Sequence, residues 1–255
     1  MELYQRNRGL IPGLPPVTEN LLIINVLVWL ASITLPRFAG IDLIDIFGLH
    51  FPSGGRFHLH QLVTYMFLHD PSSPMHLFFN MFSLFMFGRV LEQTWGGKRF
   101  LTYYLLTGIG AGLIQELAWL FDYRELFFSA LSAVSNGMIG SIADFPVNVI
   151  GRGQITAGLF FQHLTTIGAS GAVFALLLAF GMLFPNAELF VMFIPVPVKA
   201  KYFVIFYGVV ELLGGVANFS FDNVAHFAHL GGMLFGYLLI RYWRRKDFSH
   251  GRYFY

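Results

Sequence analysis

Long apolar stretches constrain the fold of this chain more than any other feature. Six stretches approach the roughly 20 mostly apolar residues that a helix needs to cross a bilayer, at residues 18–36, 75–93, 100–121, 168–184, 202–219 and 224–243. Hydrophobic residues make up 56% of the chain and charged residues 12%, whereas an ordinary soluble domain is about a quarter charged. The sequence therefore predicts an all-α integral membrane protein with six transmembrane helices.

The basic residues predict the orientation of these helices, because cytoplasmic loops are enriched in Lys and Arg. In a six-helix arrangement, only Arg37, Arg56, Arg124 and Arg152 fall on the outward side. The remaining basic residues share the opposite side, at Arg6, Arg8, Arg89, Lys98, Arg99, Lys199, Lys201, Arg241, Arg244, Arg245, Lys246 and Arg252. Both termini are then predicted to be cytoplasmic.

The chain divides into a membrane domain and two tails. Residues 1–17 are predicted to form a cytoplasmic N-terminal tail, residues 18–243 the six-helix domain, and residues 244–255 a basic cytoplasmic tail. No small-residue cleavage site follows the first apolar stretch, which favours a retained helix over a signal peptide.

Two long loops, 37–74 and 122–167, face outward in this arrangement and are themselves apolar. We expect their segments 57–70 and 125–145 to be interfacial or partly embedded, with amphipathic pieces. An additional short span within 126–150 is an alternative, but it would invert the termini and weaken the charge asymmetry.

Composition also limits the chemistry. The chain has no cysteine, which excludes disulfides, thiolate catalysis and Cys-ligated metal sites. The net charge of +2 is too small to indicate a nucleic-acid partner. No motif indicates a metal or a cofactor, so catalysis would depend on oxygen and imidazole groups.

The segment IGASGAVFALLLAF, 167–180, places Ser170 at the start of a predicted helix. Backbone N–H groups lack intrahelical partners there, and the helix dipole is positive. A nucleophile at this position has donors nearby for a developing oxyanion. The small residues Gly171, Ala175 and Ala179 are equally typical of helix packing alone.

A histidine and two glycines share one face of the last predicted helix. His229, Gly232 and Gly236 follow at i, i+3 and i+7 in VAHFAHLGGMLFG. An ionisable side chain inside a span is a functional candidate, although a histidine hydrogen-bonded between helices is the simpler alternative. His226 lies one turn earlier and competes for the same role.

His76 and Asn80 lie one turn apart in PMHLFFNMFSLFMFG, 74–88, so both face one side of the second helix. Alone, the pair is explained by polar contacts between helices. The predicted orientation, however, brings His76, Ser170 and His229 to one depth near the outward surface. A serine beside a base and extra donors can carry out acyl transfer without a metal.

The chain resembles the bacterial type of the rhomboid family of intramembrane serine proteases, over about residues 18–243. The motifs that carry this resemblance are HLFFN (76–80), E-x-x-W-G (92–96), GASGA (168–172) and AHLGGxxxG (228–236). Each motif alone is weak, but their order and spacing on separate helices are specific.

The resemblance implies a Ser–His dyad without an acidic third member. Ser170 would be the nucleophile and His229 the base, while Asn80, His76 and the Ser170 backbone N–H would form the oxyanion hole. Phe174 stands where the family often has a Tyr that packs on the catalytic imidazole. Supporting positions in the same motifs are Gly168, Gly171, Gly232 and Gly236.

Two departures concern the loops. The family's Trp-Arg pair in the first loop falls near His60 and Gln61, so a support for that loop is absent or replaced, and the third loop is longer than in compact members. Glu92 is assigned a structural role. A proton relay through Glu116 or Glu211 is disfavoured, because neither has a basic partner within its own span.

The resemblance implies membrane-protein substrates with a transmembrane helix, the lipid bilayer as surroundings, and a bacterial inner membrane as location. Two other functions stay open from the sequence. One is a catalytically inactive rhomboid-like protein that binds membrane helices for folding or quality control. The other is a small transporter, which would require paired broken helices in two halves of the chain, and the sequence has no such repeat.

Overall fold

The computed structural model describes residues 11–149, 153–190, 196–217 and 225–249. Most of these residues are helical. The helices are α1 (Pro16–Ala39), α2 (Leu43–Phe47), α3 (Gln61–Thr64), α4 (Pro74–Ser83), α5 (Arg89–Trp95), α6 (Gly97–Asp122), α7 (Arg124–Ser135), α8 (Ala157–Gln162), α9 (Ser170–Leu183), α10 (Ala200–Ala217) and α11 (His226–Ser249).

Within the described residues, each predicted apolar stretch overlaps a helix. Three helices, α1, α6 and α10, are long and apolar enough to cross a membrane, and α9 is a shorter apolar helix. A π-helical turn at Leu84–Gly88 joins α4 to α5, so residues 74–95 form one helical rod. The helix α11 continues to Ser249, past the predicted boundary at 243, because charged residues extend a helix beyond an apolar layer without breaking it.

The chain is mostly helical rather than all-α, because loop segments pair in short antiparallel strands. In the described residues these are β1 (Leu49–His50) with β4 (Thr165–Thr166), β2 (Pro146–Val149) with β3 (Gly153–Thr156), and β5 (Glu188–Leu189) with β6 (Val198–Lys199). The pairing of Leu49 with Thr166 joins the first long loop to the segment just before α9.

The second long loop contains α7, the β2–β3 pair and α8. With 12 residues, α7 is shorter than the roughly 20 residues of a typical span, and an additional span within 126–150 stays an alternative. A small apolar cluster joins this loop to the first one, with the Phe51 and Phe161 ring centroids 5.1 Å apart.

The helix α11 packs closely against α6 and α9. Glycines make this approach possible: a Cβ on Gly110 would overlap the ring of Phe235, and one on Gly231 would overlap Ile114. Close approach through small residues is how membrane helices gain van der Waals contact.

Glu92, at the end of the rod 74–95, caps the first helix. Its Oε1 accepts a hydrogen bond from the Val17 N–H at 2.9 Å, and its Oε2 accepts from the Thr18 N–H and hydroxyl at 2.7 Å each. These amides lack intrahelical partners, and α1 has no side-chain cap from its own N-cap residue, Pro15. The structural role predicted for Glu92 agrees with these contacts.

The helices alternate in direction. Arg99 at the start of α6 pairs with Asp247 near the end of α11 at 2.7 Å, and Arg244 donates to the carbonyl of Met182 at the end of α9. These contacts lie at one end of the bundle, which we call the Glu92 end. The starts of α4, α9 and α11 therefore lie at the opposite end, the Ser170 end.

Candidate active site

Ser170 is the first residue of α9, where the chain turns sharply into the helix. Gly168 makes this turn with a φ of 124°, a conformation open to glycine and strained for other residues. The Gly168 N–H donates to the Tyr65 carbonyl at 3.0 Å, so the first loop holds the entry to α9. The first-turn amides of α9 lack intrahelical partners.

The Ser170 hydroxyl lies against the imidazole of His229. The distance between Ser170 Oγ and His229 Nε2 is 2.7 Å, which is within the range of a nucleophile hydrogen-bonded to its base. His229 is buried at 7% exposure, whereas Ser170 is partly exposed. The arrangement allows Nε2 to take the hydroxyl proton while Ser170 stays accessible.

Phe174 holds the imidazole from one side. Its ring stacks on His229 with centroids 4.2 Å apart and planes 11° from parallel. Tyr207 of α10 meets the Phe174 ring edge-on at 6.3 Å. Phe174 thus packs on the imidazole without contributing a hydroxyl of its own.

Backbone contact between α9 and α11 sets the distance between the dyad residues. A Cβ on Gly232 would overlap the carbonyl oxygen of Gly171, and one on Gly171 would overlap Ala111 of α6. One turn further along α11, a Cβ on Gly236 would overlap the Tyr103 hydroxyl, which donates to the Ala175 carbonyl at 2.8 Å. A larger residue at Gly171, Gly232 or Gly236 would force the packed helices apart.

His76 lies beside the same turn. A Cβ on Gly168 would be 3.0 Å from His76 Nε2 and 3.7 Å from Ser170 Oγ, so both side chains border this glycine. His76 Nδ1 accepts a hydrogen bond from the Asp70 N–H at 3.4 Å. The neutral imidazole therefore carries its proton on Nε2, the nitrogen that faces the site.

Asn80 is buried, and its amide is turned back on its own helix. Nδ2 donates to the His76 carbonyl at 2.9 Å, which leaves the second N–H of the amide for another acceptor. Within the described residues, no hydrogen bond joins Asn80 to Ser170. The role of Asn80 in an oxyanion hole stays a prediction.

Glu211 joins this site from α10, which the sequence analysis did not anticipate. Its Oε2 lies 2.6 Å from His226 Nδ1 and 2.8 Å from His229 Nδ1. The contact with His226 is a hydrogen bond; the contact with His229 is slightly longer and is not a hydrogen bond. Its partners, His226 and His229, lie on the neighbouring helix α11. They are therefore not apparent from the sequence of the span that carries Glu211.

These three residues could also hold a metal ion. Glu211, His226 and His229 each offer one ligand atom, and these atoms lie within 4.8 Å of one another. Imidazole and carboxylate groups suit zinc and similar ions. His229 Nε2 faces Ser170, so Nδ1 would be the ligand atom.

His69 of the first loop is a second residue that the sequence analysis did not single out. Its ring is fully buried, 5.1 Å from the His76 ring. Burial, and to a lesser extent the neighbouring His76, lowers the pKa of His69 to about 3. His69 is therefore uncharged at neutral pH and buttresses His76 without adding charge to the site.

Gln61 supports the first loop. This fully buried side chain accepts hydrogen bonds from the His50 and His58 N–H groups and donates to the Ile46 and Arg56 carbonyls. A neutral amide therefore hydrogen-bonds four backbone groups near the position where the resemblance implies a Trp-Arg pair. The support for this loop is replaced rather than absent.

Residues 56–246, well over half of the chain, match the family model described as Rhomboid domain. No curated protein matches the chain. The match includes all the helices that contribute side chains to the site, and the apolar helices agree with an integral membrane protein in contact with lipid. The chain belongs to the rhomboid family.

Proposed function

We propose that this protein is an intramembrane serine protease that cleaves peptide bonds in or near transmembrane helices. The observation that carries the proposal is the 2.7 Å contact between Ser170 Oγ and His229 Nε2. A serine hydroxyl gains nucleophilicity only beside such a base. Membership of the rhomboid family supports the same reaction class.

The reaction follows from this contact. His229 Nε2 takes the Ser170 proton as Oγ bonds to the peptide carbonyl carbon, and the resulting imidazolium then donates that proton to the departing amine as the C–N bond breaks. A water molecule next attacks the acyl group, with His229 again as base. Transfer of the water proton back to Ser170 Oγ regenerates the enzyme.

Donors around Ser170 would stabilise the oxyanion. The Ser170 backbone N–H lies at the start of α9, His76 has a protonated Nε2 beside Gly168, and Asn80 has one amide hydrogen left to donate. Preorganised donors of this kind contribute a few kcal/mol each in serine hydrolases, roughly 3 to 4. The carbonyl of a bound substrate would draw the Asn80 amide toward it.

The proposal includes six membrane-spanning helices: α1, the rod 74–95, α6, α9, α10 and α11. The alternating helix directions support this arrangement, because the Glu92 end carries the starts of α1 and α6 and the ends of α9 and α11. The first loop is then partly embedded beside the site, and the third loop extends outward. In a bacterial inner membrane, both termini would be cytoplasmic.

Substrates are membrane proteins whose helices unwind near the outward surface. A peptide bond within a regular helix is hidden by its own hydrogen bonds, so an extended segment is required to reach Ser170. No nucleic-acid, metal or cofactor role is part of this reaction.

The decisive variant is Ser170→Ala, which removes the nucleophilic oxygen. We expect the parent protein, reconstituted in liposomes, to cleave a reporter that contains one transmembrane helix, and Ser170→Ala to show no cleavage. Ser32→Ala is the matched control, because Ser32 is a buried serine of α1 whose hydroxyl bonds only the Val28 carbonyl among the described contacts. Cleavage by Ser170→Ala at the parent rate would refute the nucleophile assignment.

A fluorophosphonate probe separates the protease from a catalytically inactive helix-binding protein. An activated serine reacts covalently with the probe, so we expect labelling of the parent and none of Ser170→Ala. A folded parent that neither reacts nor cleaves would favour the inactive alternative.

A further inference from the structure

We propose that Glu211 is a positioning residue for His229, and that His226 in turn holds the Glu211 carboxylate. The inference rests on the proposed protease function and deepens it. The resemblance implies a dyad of Ser170 and His229 alone, whereas this chain would operate with an acidic third member supplied by α10.

The carboxylate lies on the side of His229 opposite Ser170. His229 Nε2 faces Ser170 Oγ at 2.7 Å and Nδ1 faces Glu211 Oε2 at 2.8 Å. When Nε2 accepts the serine proton, the neutral ring must carry its own proton on Nδ1, next to the carboxylate. An acid in this place favours the catalytic tautomer and stabilises the imidazolium that forms.

Glycines of α10 bring the acid into position. Gly214 follows Glu211 by three residues, so the two share one face of α10. A Cβ on Gly214 would overlap the His226 ring, and one on Gly215 would be 3.2 Å from Phe227. The close approach of α10 to the start of α11 therefore requires glycine at both of these positions.

His226 hydrogen-bonds the same carboxylate oxygen of Glu211. Its Nδ1 hydrogen-bonds Glu211 Oε2 at 2.6 Å, and Glu211 is 6% exposed. A buried carboxylate requires hydrogen-bonding partners, and His226 supplies one of them to Glu211.

Several titratable groups face His229. They are His226 on its own helix, Glu211 on α10, His76 on α4 and Ser170 on α9, while α6 contributes Ile114 beside this part of α11. The Glu211 oxygen is closer to the imidazole than the His226 ring, whose centroid is 6.5 Å away. Because Coulomb energy falls with distance, the carboxylate dominates the electrostatic effect on His229.

The test compares Glu211→Gln with the parent in the reconstituted reporter assay, with kcat and KM measured between about pH 5 and 8. We expect kcat to fall about ten- to a hundredfold with KM within about twofold of the parent value, because proton transfer is impaired and substrate binding is not. We also expect the pH–rate profile to differ from that of the parent, because a charged group beside the proposed catalytic base has been removed.

Glu116→Gln is the matched control. Glu116 is a similarly buried carboxylate on α6, and neither of its oxygens has a hydrogen-bond partner among the described residues. We expect this variant to retain the parental kcat and rate profile. His226→Gln supplies a second test, with a smaller decrease in kcat than Glu211→Gln and the same unchanged KM.

The outcomes separate this inference from the proposed function. A parental kcat and rate profile in both Glu211→Gln and His226→Gln, with Ser170→Ala inactive, would overturn the role of Glu211 and leave the protease intact. Decreased thermal stability with an unshifted rate profile would likewise assign Glu211 to structure alone. A chelator that abolishes parental cleavage, with recovery on added zinc, would assign the cluster to a metal and also overturn the proposal.

Discussion

Gly171 and Gly232 fix the relative position of Ser170 and His229, because neither glycine carries a side chain. The carbonyl of Gly171 occupies the space that a Gly232 Cβ would need, so α9 and α11 are in backbone contact one turn from His229. Ser170 and His229 are carried by these two helices. The separation of their reactive atoms therefore depends on how closely the two backbones approach.

Substitution of Gly232 by Ala tests this dependence. Since the obstructing atom belongs to the backbone and cannot rotate away, we expect about 3 kcal/mol of destabilisation. A displacement of about 1 Å between the helices would slow cleavage roughly a hundredfold. Thermal unfolding in detergent and the reporter assay measure the two effects.

Gly208→Ala is the control for this change. Gly208 also lies within a helix, α10, but an added Cβ would be 3.5 Å from the flexible end of Met233, an ordinary contact. We expect stability and activity near those of the parent. Equal losses in the two variants would show that the contact with the Gly171 carbonyl is not the cause.

Residues from other elements hold the starts of two helices in this fold. The start of α1 obtains its cap from Glu92 of α5, the start of α9 is held by Tyr65 of the first loop, and β1 pairs with β4 beside it. A buried helix terminus without such partners would be costly. These contacts determine how the loops and helices assemble around the site.

Glu92→Gln tests the cap on α1. The variant replaces two acceptor oxygens by one oxygen and an N–H donor that opposes the α1 amides, so we expect a loss of about 2 kcal/mol in unfolding free energy. Cleavage at low temperature should change little, because Glu92 lies at the end of the bundle opposite Ser170. Gln93→Ala, at the exposed neighbouring position, is the control; if it destabilises the fold as much, the cap is not the cause.

Local sequence patterns predicted the positions of the helices, but not all of their details. Apolar length located the six stretches, and the motifs identified Ser170, His229 and Phe174, whose side chains meet in the structure. The π-helical turn at Leu84–Gly88 has no apolar signature. The loop strands were missed because backbone pairing between distant segments leaves only short, weak patterns.

The contact of Glu211 with His229 also lay beyond the sequence patterns. Residues on one helix have a fixed angular relation, whereas the rotation of α10 relative to α11 depends on which glycines meet which rings across the interface. Gly214 against His226 sets that rotation. Sequence therefore indicated the dyad, while only packing brings the acid to it.

For the whole molecule, the arrangement of the helices predicts a definite topology. The chain contains no cysteine, so single cysteines report accessibility without background. We expect Gln154→Cys, on the exposed hairpin strand β3, to react with a membrane-impermeant maleimide on intact bacterial cells. Lys98→Cys, exposed at the Glu92 end, should react only after permeabilisation.

Both side chains are exposed. A difference in labelling between the two variants therefore reports the side of the membrane rather than burial. Labelling of Lys98→Cys on intact cells would reverse the orientation. Labelling of both variants only after permeabilisation would contradict an outward-facing third loop.

The cap on α1 also has a consequence for biosynthesis. Thr18 and Glu92 are 74 residues apart in sequence, so the ribosome releases the first helix long before the carboxylate that completes it has been made. Until then the leading amides of α1 lack the acceptor that Glu92 provides. The cap on α1 therefore forms late, after synthesis of α5.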